Sequence, residues 1–166
     1  MQPHAAFLAL ALAVGTCGAS AQEDSVFVEG LSCLGGRYGL VMPGDFRTLK
    51  KLSKVLREEL GEVEQWDGYT ATRKTLHFEG LELGVVEFTN DPARYMVTSA
   101  KLTSPSWNRL SPFKLRRPVA EAAQILGDIA KPDPGLRRTY GSESDNLKIQ
   151  TSGGIVTGVT YECYSG

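Results

Sequence analysis

The spacing of apolar residues predicts two helices of unequal length. Between residues 45 and 60, apolar side chains recur at steps of three and four, which places them on one stripe of a helix. This stripe consists of Phe46, Leu49, Leu52, Leu56 and Leu60. Asp45 can cap the first turn and Gly61 can end the helix, so Leu56 is expected to be buried in mid-stripe. A shorter helix is predicted over residues 118–126, where Pro118 suits the first turn and Gly127 follows the last.

Three strand-like runs follow each predicted helix. Those after the first helix cover residues 75–79, 81–88 and 95–103, and those after the second cover residues 137–142, 146–151 and 155–164. The same order of elements, met twice, predicts an α+β fold. The expected architecture is a tandem repeat of a helix plus three antiparallel strands, with the helices packed on one face of an antiparallel sheet. Residues 22–166 would form a single domain built of two units, at about 37–104 and 105–166.

Period-two alternation assigns side chains to the two faces of the expected sheet. The inward set is Met96, Ala100 and Leu102 in one strand, and Ile155, Thr157, Val159, Tyr161 and Cys163 in the last. The outward set includes His77, Tyr95, Val97, Ser99, Lys101, Lys148 and Tyr164. Because an antiparallel sheet with helices on one side can leave its other face in water, a polar outer face with a few aromatic residues is expected.

The N-terminal residues have the pattern of a secretory signal peptide. Residues 5–14 are apolar and uncharged, a run too short to span a bilayer, and Ala19-Ser20-Ala21 supplies the small residues of a cleavage site. Residues 1–21 are therefore predicted to be a signal peptide, and the mature protein to be periplasmic or secreted without a transmembrane segment. Two alternatives stay open: a lipid anchor at Cys17, which follows Thr16 where a smaller residue is usual, and a buried N-terminal helix.

Export changes the chemistry expected of the cysteines. Removal of residues 1–21 leaves Cys33 and Cys163, and in an oxidising compartment two such cysteines most often form one disulfide. Two free buried thiols are the alternative. Two cysteines and the one remaining histidine, His77, do not make the usual four-ligand set, so neither a metal nor another cofactor is expected.

Composition excludes a general nucleic-acid binder. The chain of 166 residues is 42% hydrophobic and 22% charged, and its 18 basic and 19 acidic residues give a net charge of −1. A strongly basic face would need an equally acidic surface elsewhere in the molecule.

The expected architecture resembles a known family of small bacterial proteins. A signal peptide, tandem units and a Leu-Gly pair after each helix (Leu60-Gly61 and Leu126-Gly127) resemble the β-lactamase-inhibitor-protein fold. The same unit is similar to the small outer-membrane-assembly lipoproteins of bacteria. The resemblance is architectural and covers about residues 37–164. Inhibitors of that family carry more cysteines and longer units, so the resemblance implies a fold and leaves the target open.

Two hypotheses about function follow from these patterns. The first is an exported, non-catalytic protein that caps or inhibits a partner protein in the bacterial envelope, as inhibitors and immunity proteins do. Its expected binding residues are Trp66, Tyr69, His77, Tyr95, Lys101, Lys148 and Tyr164. Loop aromatics are favoured interface anchors, although Trp66 could instead cover the core. The alternative is a small envelope hydrolase or ligand-binding protein centred on His77 and nearby carboxylates.

Overall fold

The computed structural model describes residues 25–131, 135–136 and 139–163. Its strands are β1 (Ser25–Phe27), β2 (Arg57–Trp66), β3 (Tyr69–Phe78), β4 (Leu81–Phe88), β5 (Asp91–Leu102), β6 (Thr139–Gly141), β7 (Asn146–Ser152) and β8 (Ile155–Glu162). The helices are α1 (Phe46–Lys50) and α2 (Val119–Leu126), with short 3₁₀ turns at Pro105–Trp107 and Gly127–Ala130. The signal-peptide prediction, including Cys17, and the prediction for Tyr164 fall outside these residues.

The tandem repeat predicted from the sequence is wrong. The described strands form one mixed sheet of eight strands in the order β1-β6-β7-β8-β5-β4-β3-β2. Strands from both expected units, 37–104 and 105–166, lie side by side in it, because β8 pairs with β5. The β1–β6 pair is parallel and the other pairs are antiparallel, so the sheet is not purely antiparallel either.

The prediction of one long helix over residues 45–60 is wrong as well, because the chain changes from helix to strand within that range. Asp45 does cap a helix, and its carboxylate accepts a hydrogen bond from the backbone N of Thr48 at 2.9 Å, but that helix ends at Lys50. Leu56 and Leu60 then lie along the edge of the sheet, 60% and 72% exposed. Pairing of β2 with β3 outweighs the helical spacing of the leucines, and Gly61 lies at a bulge in that pair instead of ending a helix.

The second half of the chain follows its sequence pattern more closely. Helix α2 begins after Pro118, and Gly127 follows it with a φ of 63°, a left-handed conformation that favours glycine. The apolar spacing predicts a buried stripe of Val119, Ala122, Ala123 and Leu126; Val119, Ala122 and Leu126 are buried, and Ala123 is partly buried. Strands β7 and β8 lie close to the predicted runs, as does β4 in the first half.

The main core lies between the helices and one face of the sheet, which we call the covered face. Leu49 from α1 and Leu126 from α2 join it, against strand residues such as Leu83. Trp107 seals one end, and its Nε1 donates to the carbonyl of Glu79 at 2.8 Å. The predicted Cys33–Cys163 disulfide is confirmed and joins residues 130 positions apart.

Two β-bulges place several residues on the face of the sheet opposite to the one predicted for them. In the β4–β5 pair, Gly84 is opposite Ser99 and Val85 is opposite Val97, so Thr98 is an extra residue. Past this point alternation is reversed: Tyr95 and Val97 pack on the main core, against prediction, and Met96 lies on the other face.

A second bulge acts in the same way on β8. Gln150 is opposite Gly158 and Thr151 is opposite Val156, so Thr157 is the extra residue. Val156 is therefore buried, whereas Ile155 and Thr157, predicted to point inward, are exposed.

Candidate functional site

The face of the sheet opposite the helices, which we call the open face, carries a continuous row of polar residues. Residues directly opposite one another on neighbouring strands share a face. One row of such partners runs from β2 to β6 and consists of Arg57, His77, Glu82, Lys101, Thr160, Lys148 and Thr139. Three residues predicted for the outer face, His77, Lys101 and Lys148, therefore lie in one register on the open face.

His77 is held between two carboxylates within this row. Its Nε2 is 3.3 Å from a Glu59 oxygen, and its Nδ1 is 3.6 Å from a Glu82 oxygen. The Arg57 guanidinium also approaches Nε2, at 3.3 Å. The imidazole is 19% exposed and borders a shallow, open depression of about 190 Å³ that also contains Lys101 and Thr103. These contacts fix the ring and place two acids beside it, the arrangement that an acid–base role would need.

The open face becomes apolar at the end where the β2–β3 and β4–β5 turns lie. We call this group the distal cluster, and it consists of Trp66, Tyr69, Ala71, Val86, Phe88 and Met96. Ala71, Val86 and Phe88 are buried, although none of the helices among the described residues packs on this face. The cluster is separate from the main core, and Met96 reaches it because the bulge at Thr98 turns it to this side.

The outer wall of the distal cluster is a stack of aromatic rings. The Trp66 and Tyr69 rings are nearly parallel, with centroids 6.2 Å apart and planes within 5°. Tyr69 in turn contacts Phe88, at 6.1 Å between centroids. Trp66 is still 57% exposed, and its Nε1 donates to a Glu64 carboxylate oxygen at 3.3 Å. The indole is therefore held in one orientation while much of its surface stays in water.

Two arginines, Arg73 and Arg94, border the groove beside these rings. Carboxylates lie close to Arg73, whereas no described carboxylate pairs with Arg94. The groove has a volume of about 350 Å³ and is lined by the distal cluster together with Glu64, Arg73 and Arg94. Arg73 is close to two carboxylates, with Glu64 at 3.5 Å and Glu62 at 4.0 Å. Arg94 lies over the Phe88 ring, 4.8 Å from its centroid, and makes no ion pair with any residue that the structure describes.

The predicted binding residues are only partly brought together. Trp66 and Tyr69 are adjacent, but they end β2 and begin β3 instead of lying in a loop. Tyr95 was predicted on the open face and lies on the covered face, where its hydroxyl donates to the Pro43 carbonyl and its ring is 5.9 Å from that of Phe46. Burial there raises the pKa of Tyr95 to about 12.

Sequence reasoning missed the residues that complete the groove. Val86, Phe88, Arg94 and Met96 come from β4 and β5, and they meet Trp66 only because β2 adds to the same sheet. One signal was available: Asp67-Gly68, between Trp66 and Tyr69, is a typical two-residue hairpin turn, and Gly68 has a φ of 83°.

The described ranges contain no group of three or more His, Cys, Asp or Glu side chains arranged to hold a metal ion. None of the helices formed by residues 25–131, 135–136 and 139–163 is both long and apolar enough to cross a membrane.

Comparisons with protein families, with curated proteins and with solved structures find no match for this chain. These comparisons leave the resemblance to β-lactamase-inhibitor proteins untested, although the tandem repeat that was one of its grounds is absent from the strand order of the described residues. The resemblance supplies neither a target nor a contact residue.

Proposed function

We propose that this chain is an exported, non-catalytic binding protein whose open face caps or inhibits a partner protein in the bacterial envelope. The observation that carries the proposal is Trp66, an indole that is 57% exposed yet fixed by stacking on Tyr69 and by a hydrogen bond to Glu64. Tryptophan and tyrosine are enriched among the residues that dominate binding energy in protein interfaces. A side chain already held in place loses little conformational entropy on binding, which favours affinity.

The polar residues of the open face are of the kind that surround an aromatic anchor in protein interfaces. The row through His77, Lys101 and Lys148 carries both signs of charge across the sheet. Interfaces typically place aromatic anchors in a desolvated centre with a polar rim, and complementary charges there set orientation. The distal cluster would supply the affinity and the polar row the orientation.

The proposed location rests on two features. The sequence begins with an apolar run followed by a small-residue cleavage site, and the described residues contain the Cys33–Cys163 disulfide. Disulfides persist in the periplasm and outside the cell and are rare in the cytosol. A periplasmic or secreted protein fits both features.

The proposal is tested by comparing Trp66→Ala with Leu60→Ala. Both residues belong to β2 and both are strongly exposed, but Leu60 is opposite Lys74 on the covered side of the sheet. The wild-type protein would be used to capture a partner from an envelope extract, and the dissociation constant of that partner would then be measured for each variant. Trp66→Ala should weaken binding by about thirtyfold or more, equivalent to about 2 kcal/mol, and Leu60→Ala should leave it unchanged. Equal affinity of both variants for the partner would contradict the proposal.

One observation favours a second candidate, a small hydrolase or ligand-binding protein centred on His77. The Glu59 and Glu82 carboxylates lie on either side of the imidazole, which could orient it as a general base. This candidate predicts turnover of an ester or peptide substrate that is lost in His77→Ala and retained in Trp66→Ala. The binding proposal predicts no turnover in either variant.

A further inference from the structure

We infer that the groove of the distal cluster receives an acidic segment of the partner protein, which inserts one apolar side chain and lies along β5. This inference rests on the proposed function and specifies the chemistry of the partner. Three features of the described residues carry it: the size and lining of the groove, the charge of Arg94, which no described carboxylate pairs with, and a second exposed cation further along the same strand.

The groove is built for one apolar group. Its floor of Ala71, Val86 and Phe88 is already shielded from water, and the Trp66–Tyr69 stack forms one wall. A volume of about 350 Å³ is at the lower end of the range for small-ligand sites, roughly 300–1,000 Å³. One bulky aliphatic or aromatic side chain therefore fits the groove better than an extended apolar surface.

The charge of Arg94 determines which group of the partner lies next to the inserted apolar side chain. An apolar group that fills the groove removes water from beside the Arg94 guanidinium, and a desolvated cation without a counter-charge is unfavourable. Arg73 is already opposed by Glu62 and Glu64, whereas Arg94 has only the Phe88 ring beneath it among the described residues. A carboxylate next to the inserted side chain would complete a charge-assisted hydrogen bond with Arg94, and an ammonium group there would be repelled.

Lys101 extends the preference for acidic groups along β5. This favours a peptide as the ligand over a small amphiphilic molecule. Lys101 is exposed on the same face of β5. Glu82 is its cross-strand neighbour there, but the Glu82 carboxylate lies beside His77, 3.6 Å from Nδ1, and forms no ion pair with Lys101 among the described residues. With a strand rise of about 3.3 Å per residue, Arg94 and Lys101 are roughly 20 Å apart. A single carboxylate cannot reach both cations, but an extended segment of about six or seven residues with acidic side chains can.

The experiment uses a display library of random twelve-residue peptides, selected on the intact protein and counter-selected on Trp66→Ala. Peptides that need Trp66 should combine an aliphatic or aromatic residue with a neighbouring Asp or Glu. The same selection on Arg94→Glu should instead enrich Lys or Arg beside the apolar residue. Circular dichroism would establish that both variants are folded before selection.

Affinities of a synthetic acidic peptide then separate the contributions. Arg94→Glu should weaken it at least tenfold and Lys101→Glu should weaken it several-fold, because each reversal replaces an attraction by a repulsion. Lys131→Glu is the control, since Lys131 is a cation that follows the Gly127–Ala130 turn packed on the main core. It should leave the affinity unchanged, and added salt should weaken wild-type binding.

The outcomes distinguish this inference from the proposed function. Trp66-dependent peptides without acidic residues, or an acidic peptide unaffected by Arg94→Glu, would overturn the inference and leave the distal cluster as a binding surface. A library that yields no Trp66-dependent peptide would count against both. Acidic peptides that respond to Trp66→Ala and to Arg94→Glu, but not to Lys131→Glu, would support both.

Discussion

The two tryptophans of the described chain lie in opposite environments at opposite ends of the sheet. Trp107 is 4% exposed, packs edge-on against Phe78 and donates its indole N–H to a backbone carbonyl. Trp66 is 57% exposed, stacks on Tyr69 and donates to the partly exposed carboxylate of Glu64. Both rings are fixed, but only the first gains its contacts from the main core. The same residue type therefore stabilises the fold in one region and presents a surface in the other.

The largest difference is expected between the stabilities of Trp107→Ala and Trp66→Ala. Trp107→Ala should lower the free energy of unfolding by about 3–5 kcal/mol, because it empties a closed site and removes a buried hydrogen bond. Trp66→Ala should cost less than about 1 kcal/mol, since much of the ring is already in water. Urea denaturation followed by circular dichroism measures both. Similar losses for the two variants would mean that the distal cluster is a second structural core.

A pair of leucines tests the boundary between helix and edge strand. Leu49 is 0% exposed in α1, and Leu56 is 60% exposed just before β2. Leu49→Ala should destabilise the protein by about 2–5 kcal/mol through lost burial and a residual cavity, and Leu56→Ala by less than about 0.5 kcal/mol. If denaturant melts gave Leu56 the larger loss, the long helix over residues 45–60 would be favoured again.

The stability of the protein in alkaline solution tests whether Tyr95 is buried on the covered face. Because the pKa of Tyr95 is raised from 10.0 to about 12, the folded protein keeps this proton at a pH where the unfolded chain has lost it. Its contribution to stability is therefore fully present below pH 10 and lost as the pH rises to about 12. Tyr95→Phe should lose less stability across this window than the wild type, by on the order of 1 kcal/mol after allowance for partial exposure. Parallel pH dependences in urea melts at several alkaline pH values would place Tyr95 in water.

The smallest expected effect is spectroscopic and needs no loss of stability. Trp107→Phe leaves Trp66 as the reporter, and Trp66→Phe leaves Trp107. Acrylamide should quench the first variant several-fold more efficiently, because Trp66 is far more exposed than Trp107. Equal quenching would contradict the difference between the two regions directly.

Local sequence signals predicted the elements whose pattern agrees with their final surroundings. Helix α2 has a proline before it, a glycine after it and a clear apolar stripe, and the structure preserves all three. The residues around β2 carry a conflict instead. Phe46, Leu49, Leu56 and Leu60 keep helical spacing, but only the first two are buried, and the rest are exposed because β3 offers backbone partners to residues 57–66. Spacing alone could not show that this partner was available.

The candidate site was difficult to predict from the sequence because it depends on exceptions to strand alternation. Trp66 and Tyr69 were identifiable as aromatic residues on either side of an Asp-Gly turn. Met96 and Arg94 were not, since strict alternation places Met96 on the covered side and only the extra residue at Thr98 moves it to the groove. A bulge leaves little trace in a single sequence, and each one reverses every later side chain of its strand.

The position of β1 beside β6 limits the order in which the strands of the sheet can pair. Strands β2 to β5 are neighbours both along the chain and in the sheet, so they can assemble as soon as they leave the ribosome or a membrane channel. Strand β1 has no such option, because its partner β6 begins at Thr139, and Cys33 waits for Cys163. The first described residues are therefore among the last to gain their strand partner, and the same segment contains Val28 and Leu31, which belong to the main core of the folded protein. Chains released before Thr139 would carry this apolar segment without its strand partner, a mark by which quality control could recognise them.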